Sequence, residues 1–499
     1  MQLQFAKKTF RFLDIPVQEV KNTEVTQEIR LPDGMPDVGR VLTSWGQILL
    51  RNKQWMSGEI ELNGGVKVWT LYAPEDGTEP RVVESWLPFQ LRWDTGNTEK
   101  EGPVRMMPTL RNVDCRGISA RKMMLRVGVG VLAQGAVPKE AEWFSPEDIP
   151  EEVQILKQTY PVRLPVGAGE KVFLVDEEID SASAGISGSK IISCTVAPEL
   201  LERKVLSDKL VFKGCTNLSL VLRDEEGRME SRSFEMPFSQ LADLEGSYSP
   251  EAQPDIRFAV TDLEADLGDN GRIRVKCGLV AQYLLDDTIL LELAEDAYCH
   301  CRNVDFKIAE LMIPVVLEER TEPIKAEQVL PSLTVQVADC RFYPDFPRIR
   351  RGTDSVDIEI PGQLQTLFYG EDGMLQSTST RWEGNLRIPS DADAQLLSII
   401  QKPCQVQLVS GIDGLAAVSQ LQMQLRFTAG RGMPMITEME LGETRNDDTQ
   451  RPSVILRRCG NDSLWSIAKE TGSTVSAICQ ANGITDQPVK DQMLLIPVS

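Results

Sequence analysis

A single histidine, His300, stands in the 499 residues. That scarcity excludes most hydrolytic chemistry driven by an imidazole base, because nothing around His300 resembles a nucleophile motif. Its neighbours Cys299 and Cys301 invite a metal reading. Adjacent strand residues point to opposite faces, however, so three consecutive ligands do not easily chelate one ion, and no fourth ligand stands at zinc-like spacing. Structural burial is the expectation for His300. No run approaches the roughly 18 apolar residues that span a bilayer. The opening residues, Met1-Gln-Leu-Gln-Phe-Ala-Lys-Lys-Thr-Phe10, lack the apolar core and small-residue cleavage site of a secretory leader. The chain is therefore expected to be mature as it stands, soluble, and retained where it is made. The ten cysteines form no CxxC pair and no regular framework, so buried free thiols in a reducing cytoplasm are expected. Basic residues are the minority, 53 against 74 acidic, for a net charge of -21. Such a charge repels nucleic acid and anionic membranes, and favours protein or neutral-glycan partners.

Other chemistry-bearing patterns are weak. Gly185-Ile-Ser-Gly-Ser-Lys190 lacks the spacing of a phosphate loop and reads as a plain loop. The carboxylate pairs Glu225-Glu226, Asp286-Asp287, Glu318-Glu319 and Asp447-Asp448 could in principle do acid/base work. Most sit at turn-like positions or in a linker, and solvated surface is expected. Arg341-Phe-Tyr-Pro-Asp-Phe-Pro-Arg-Ile-Arg-Arg351 interleaves bases with aromatics, as nucleic-acid sites do; in an acidic chain a strand edge or protein contact is the preferred reading. No enzyme activity, cofactor or metal is expected.

The positive content is a repeat. Gly65-Val-Lys-Val-Trp-Thr-Leu-Tyr-Ala-Pro-Glu-Asp-Gly77, Thr216-Asn-Leu-Ser-Leu-Val-Leu-Arg-Asp-Glu-Glu-Gly227 and Gly362-Gln-Leu-Gln-Thr-Leu-Phe-Tyr-Gly-Glu-Asp-Gly373 each alternate apolar residues and then end in an acidic turn closed by glycine. Glycine supplies the positive φ of a tight hairpin. The turn glycines lie 227 − 77 = 150 and 373 − 227 = 146 residues apart, a domain-sized period far longer than a solenoid repeat. A further hairpin is expected around Asn112 to Val131, with a counterpart at Thr261 to Cys277. Leu421, Met423, Leu425 and Phe427 alternate strictly and argue for a half-buried antiparallel strand. One helix is a candidate outside the C-terminus, at Ala394 to Gln401. The expected fold is mainly β: three repeated antiparallel sandwich-like domains (1–145, 146–310 and 311–443), a linker (444–452), and a small βααβ domain (453–499).

In that last domain, Val454-Ile-Leu-Arg-Arg458 can form a strand. Asp462 or Ser463 can cap a helix whose Leu464, Ile467 and Ala468 share one face. Ser473 or Thr474 can cap a second helix, with Val475, Ile478 and Cys479 on its apolar face and a left-handed stop at Asn482-Gly483. Met493-Leu-Leu-Ile-Pro497 returns as a strand. Trp465 falls beside the apolar stripe, as a binding anchor or a cap on the small core.

Two resemblances follow from these residues. Glu28-Ile-Arg-Leu-Pro-Asp-Gly-Met-Pro-Asp-Val-Gly-Arg-Val-Leu42, Leu71-Tyr-Ala-Pro-Glu-Asp-Gly77 and the Pro-Phe strand ends resemble the SPOCS domain of spore-coat-associated proteins. Copies two and three lack the Leu-Pro-Asp-Gly element. The C-terminal order, with Asp462-Ser-Leu-Trp-Ser-Ile-Ala468, Asn482 and Ile496-Pro497, resembles LysM, although Asn461-Asp-Ser-Leu464 departs from that family's usual Gly-Asp-Thr-Leu. The LysM resemblance places a ligand groove at Asn461, Asp462, Ser463, Leu464 and Trp465 and at Asn482, Gly483, Ile484 and Thr485, where backbone amides would meet N-acetylglucosamine chains of peptidoglycan. The SPOCS-plus-LysM family of spore coat morphogenesis proteins implies a second use. There the module holds the ATP-hydrolysing coat morphogenetic protein (SpoIVA-like), in the mother-cell cytoplasm at the forespore surface. A non-enzymatic scaffold of coat assembly is thus the leading expectation, and a glycan-binding cell-wall protein the alternative.

Overall fold

The computed structural model describes residues 2–96, 101–268, 271–330, 336–389, 395–402, 406–411, 414–444, 452–485 and 491–498. Nearly all of the chain before the C-terminal module is strand. After β1 (Gln2–Leu3) come β2 (Phe5–Arg30), β3 (Val38–Met56), β4 (Glu59–Pro74), β5 (Arg81–Asp94), β6 (Val104–Ser119) and β7 (Lys122–Pro146). They pair as two three-stranded antiparallel sheets, β3-β4-β5 and β2-β7-β6. The pattern then repeats with β8 (Val153–Asp180), β9 (Lys190–Leu206), β10 (Lys209–Arg223), β11 (Met229–Asp243), β12 (Gln253–Leu267) and β13 (Arg272–Cys299), paired as β9-β10-β11 and β8-β13-β12.

The third copy keeps the same plan with two strands interrupted. Its members are β14 (Arg302–Leu330), β15 (Val337–Pro344), β16 (Arg348–Arg351), β17 (Ser355–Tyr369), β18 (Leu375–Pro389), β19 (Gln395–Lys402), β20 (Val406–Gly411) and β21 (Gly414–Thr444). β15 and β16 both pair with β17, and β19 and β20 both pair with β21. β14 runs through residues 310 and 311, where the sequence suggested a division. β1 joins the third copy by pairing Leu3 with Met439.

The hairpin reading holds at all three turns. Gly77, Gly227 and Gly373 have φ of 71°, 85° and 72°, and each donates its N–H back across the turn, to Pro74, Asp224 and Gly370. A second repeated device explains the aromatic near each strand end. Gly64 pairs with Phe89, Gly214 with Phe238 and Gly362 with Trp382. A Cβ on Gly64 or Gly214 would meet the paired ring at 2.8 or 2.4 Å, so in the first two copies the ring needs a glycine beneath it, whereas in the third Gly362 lies under Phe342 and Trp382 covers Gly384.

Two expectations are corrected. Gln395–Lys402 is strand, not helix, paired with β21 from Gln395↔Thr428 to Lys402↔Gln422; a short apolar run has no period that separates the two. The second concerns the strand carrying Leu421, Met423, Leu425 and Phe427. These four are buried in the core of the third copy, but Gln424 and Arg426 on the opposite face are buried too. The second copy covers that face.

The copies interlock through buried polar groups. Gln282 of β13, fully buried, bonds both Met106 N and Met106 O at 2.8 Å and so continues the ladder of β6. Arg105 of β6 pairs with Asp255 of β12 at 2.6 Å, and Arg257 pairs with the same carboxylate at 3.0 Å. Trp45 of the first copy donates to Asp339 of the third at 2.7 Å, and Arg111 holds Asp345 with two bonds. The basic-aromatic stretch from Arg341 to Arg351 divides: Asp345 and Phe346 contact the first copy through Arg111 and through Met107 and Leu132, Arg341 donates to Asp339 of its own copy and to Thr195 of the second, and Arg348 and Arg350 are exposed and pair with Glu359.

The carboxylate pairs divide. Glu225 and Glu226 lie exposed at a turn, and Asp447-Asp448 falls outside the described residues. Asp286 and Glu319 are not solvated surface: their side chains are 1% and 13% exposed, and Arg163 bridges them at 3.0 and 2.7 Å. Nine described cysteines are free, and burial pushes the Cys194 and Cys277 thiols up to about 12. The sulfurs of Cys299 and Cys301 stand 3.4 Å apart. Among the described residues no His, Cys, Asp and Glu group could hold a metal ion.

Candidate binding site in the C-terminal module

The module begins with β22 (Val454–Arg458), continues through α1 (Leu464–Thr471) and α2 (Val475–Asn482), and ends with β23 (Met493–Pro497) antiparallel to β22. Both helix starts are capped by hydroxyls. Ser463 accepts from Ser466 N, and Thr474 accepts from Ala477 N, each satisfying an amide that the first helical turn leaves open. Asp462, the other candidate cap, instead pairs with Arg457 at 3.0 Å, beside Glu470 at 2.6 Å. Both helices stop at left-handed glycines, Gly472 (φ 69°) and Gly483 (φ 64°). Leu464, Ile467, Ala468, Ile478, Leu494 and Ile496 form the core.

The nine candidate groove residues have unlike environments. Asn461, Asp462, Ser463, Gly483 and Thr485 are exposed, Ile484 is half-buried, and Leu464 is buried in the core. Asn482 turns its amide inward: Nδ2 donates to Ile478 O at 2.8 Å and Leu495 O at 2.6 Å, and Oδ1 accepts from Leu495 N at 2.8 Å. It ties α2 to β23.

Trp465 faces the body of the protein. Its Nε1–H donates to Asp296 Oδ2 at 2.8 Å, and its ring meets Tyr298 edge-on at 4.9 Å. Lys469, one turn on, reaches both oxygens of Asp296 at 2.6 and 2.8 Å. Tyr298 enters the core of the module and donates its hydroxyl to Ser473 O at 2.8 Å. Burial, and then the charge of Asp296, raise its phenol to about 12, so it stays a donor at any physiological pH. Sequence reasoning missed Asp296 and Tyr298 as neighbours of Trp465, since nothing local marks residues about 170 positions apart as partners.

A cleft of about 730 Å³ separates module from body, lined among others by Tyr298, Arg302 and Phe306 on one wall and Leu456, Arg457 and Lys469 on the other. The outer face of the module's sheet is apolar. Val454, Leu456, Met493 and Leu495 are 46%, 68%, 57% and 38% exposed, and the register places Leu456 opposite Leu495.

Capped helices on a two-stranded sheet, with exposed loops and an apolar outer face, define a small binding module carried on a body of β-sandwiches. The family model described as SipL, SPOCS domain, matches residues 189–268, and that described as LysM domain matches residues 461–497. The SPOCS match falls on β9 to β12 of the second copy, although the first copy carries the Leu-Pro-Asp-Gly element. No curated protein and no solved structure matches the chain. SPOCS and LysM are binding domains without catalytic chemistry, and together they support a sporulation-related protein that binds cell-wall glycan or another protein. Among the described residues no helix is long and apolar enough to cross a membrane.

Proposed function

We propose that this protein is a non-enzymatic scaffold of endospore coat assembly. In this reading it acts in the mother-cell cytoplasm at the forespore surface, and its LysM module grips the coat morphogenetic ATPase. The carrying observation is the presence of a SipL-type SPOCS domain and a LysM domain in one chain. The apolar outer face of the module favours protein over sugar. A contiguous apolar patch on a soluble module marks a protein-contact surface, whereas a glycan asks for neutral hydrogen bonds in a shaped groove. The glycan reading keeps one support, the exposure of Asn461, Asp462, Ser463, Gly483 and Thr485.

The test is binding of the full chain to the purified coat ATPase and, separately, to N-acetylglucosamine oligomers. Wild type is expected to bind the ATPase, Leu456→Asp to bind it at least tenfold more weakly, and neither to bind sugar. Leu456 is 68% exposed, so the substitution leaves the fold intact. Binding to sugar alone would replace this reading with that of a glycan-binding wall protein.

A further inference from the structure

We infer that the LysM module is held on the body by a releasable latch, in which Trp465 and Lys469 close on Asp296 and Tyr298, and that the module takes up its protein partner only when the latch is open. The inference rests on the protein-binding reading of the module.

Three observations carry it. First, one carboxylate serves two donors of the module: Asp296 accepts from the Trp465 indole at 2.8 Å and from the Lys469 ammonium at 2.6 Å. Second, the contact occupies the residue best suited to anchor a partner. A tryptophan with one face on apolar surface and its N–H on a polar group is a frequent hot-spot residue, and here both features are spent within the chain. Third, Leu456 of the apolar sheet face lines the cleft together with Tyr298, Arg302 and Phe306. A space of that volume accommodates a small ligand, not the surface of a folded protein, so the cleft wall formed by Arg457 and Lys469 is open to a folded partner only once module and body separate, whereas Leu456 at the rim is exposed already.

The latch is built to open. Lys469 and Asp296 are 42% and 24% exposed, which leaves their attraction screened by water and salt. Beside it, among the described residues, stand one hydroxyl-to-carbonyl bond, one aromatic edge contact, the Lys469 ammonium 5.9 Å from the Phe306 ring, and the Tyr298 ring packed in the module's core. The module's own core residues lie within the module, Tyr298 apart.

The test uses the full chain and two readouts, one of which needs no partner. A zero-length carbodiimide cross-link between Lys469 and Asp296, located by mass spectrometry, reports the closed state. It is expected in wild type, and to fall severalfold in Tyr298→Phe and at high salt. Affinity for the purified coat ATPase is expected to rise at least fivefold in Asp296→Asn and in Tyr298→Phe, both of which preserve side-chain volume. Absence of the cross-link in wild type would overturn the latch, as would a cross-link accompanied by unchanged or weaker binding in both variants. If no form binds the ATPase, the binding reading itself fails, and the closed contact then stands or falls on the cross-link alone.

Discussion

Asp286→Ala is expected to destabilise the β body by about 3–5 kcal/mol, the usual consequence of removing one partner from a buried ion pair. Asp286 is 1% exposed through its side chain and faces Arg426, 8% exposed, at 2.7 Å, and Arg163 at 3.0 Å. Alanine would leave the Arg426 guanidinium without its hydrogen-bonded carboxylate in the buried seam between second and third copies. Arg163 keeps Glu319 at 2.7 Å, so the loss concentrates on Arg426. The double variant Asp286→Ala/Arg426→Met should recover most of the stability, because an apolar pair of similar volume carries no desolvation cost. Denaturant titration of the three proteins checks both statements. A loss below about 1 kcal/mol in the single variant would mean that the seam is wet and the pair screened.

The same seams give the chain an acid limit. Burial alone would raise the carboxyl of Asp255, but Arg257 and Arg105 hold it well below the usual carboxylate range. A depressed folded-state pKa contributes stability that is fully present above the unfolded carboxylate value of about 4 and is lost as pH falls through the folded value. For this group, stability should be level between pH 5 and 7 and decline below about pH 4. Replacing Asp255 with asparagine should flatten the decline, which midpoint measurements across pH would detect.

What could be read from the sequence, and what could not, divides along chain separation. The turn glycines 77, 227 and 373 were legible because a hairpin is specified within a dozen residues and positive φ selects glycine. The module was legible for the same reason: caps, apolar spacing and left-handed stops all lie within one turn of the helix they serve. Asp286 and Glu319 looked like solvated carboxylates because the arginines that bury them, Arg163 and Arg426, stand more than 100 residues away. Alternation at Leu421 to Phe427 identified one buried face. It said nothing of the second, since polar residues that meet buried charges read as solvent-facing. Trp465 shows the same gap: its helix register placed it beside the apolar stripe, and only the fold brings Asp296 and Tyr298 to it.

Asn482 carries the remaining large effect, because beside its expected place in a ligand groove its amide bonds within the module. Its amide makes three bonds, two that fix Leu495 of β23 against α2 and one back to Ile478 O within α2, and at about 1 kcal/mol each their joint removal costs about 3 kcal/mol. A module of this size has only a few kcal/mol of stability to lose, because a small domain buries a small fraction of its surface. Asn482→Ala should therefore melt the module well below the β body, giving two separated thermal transitions and rapid hydrogen exchange confined to residues 454–498. Asn482→Asp keeps the acceptor for Leu495 N and loses both donors, so its effect should be intermediate or larger according to how the added charge is solvated beside Leu495 O. The Asn482→Ala melt discriminates between the two tasks. If the residue serves a ligand, binding falls while the module's melting is unchanged; if it serves the fold, the melting temperature falls, and ligand binding is lost only in the fraction of molecules whose module has come apart.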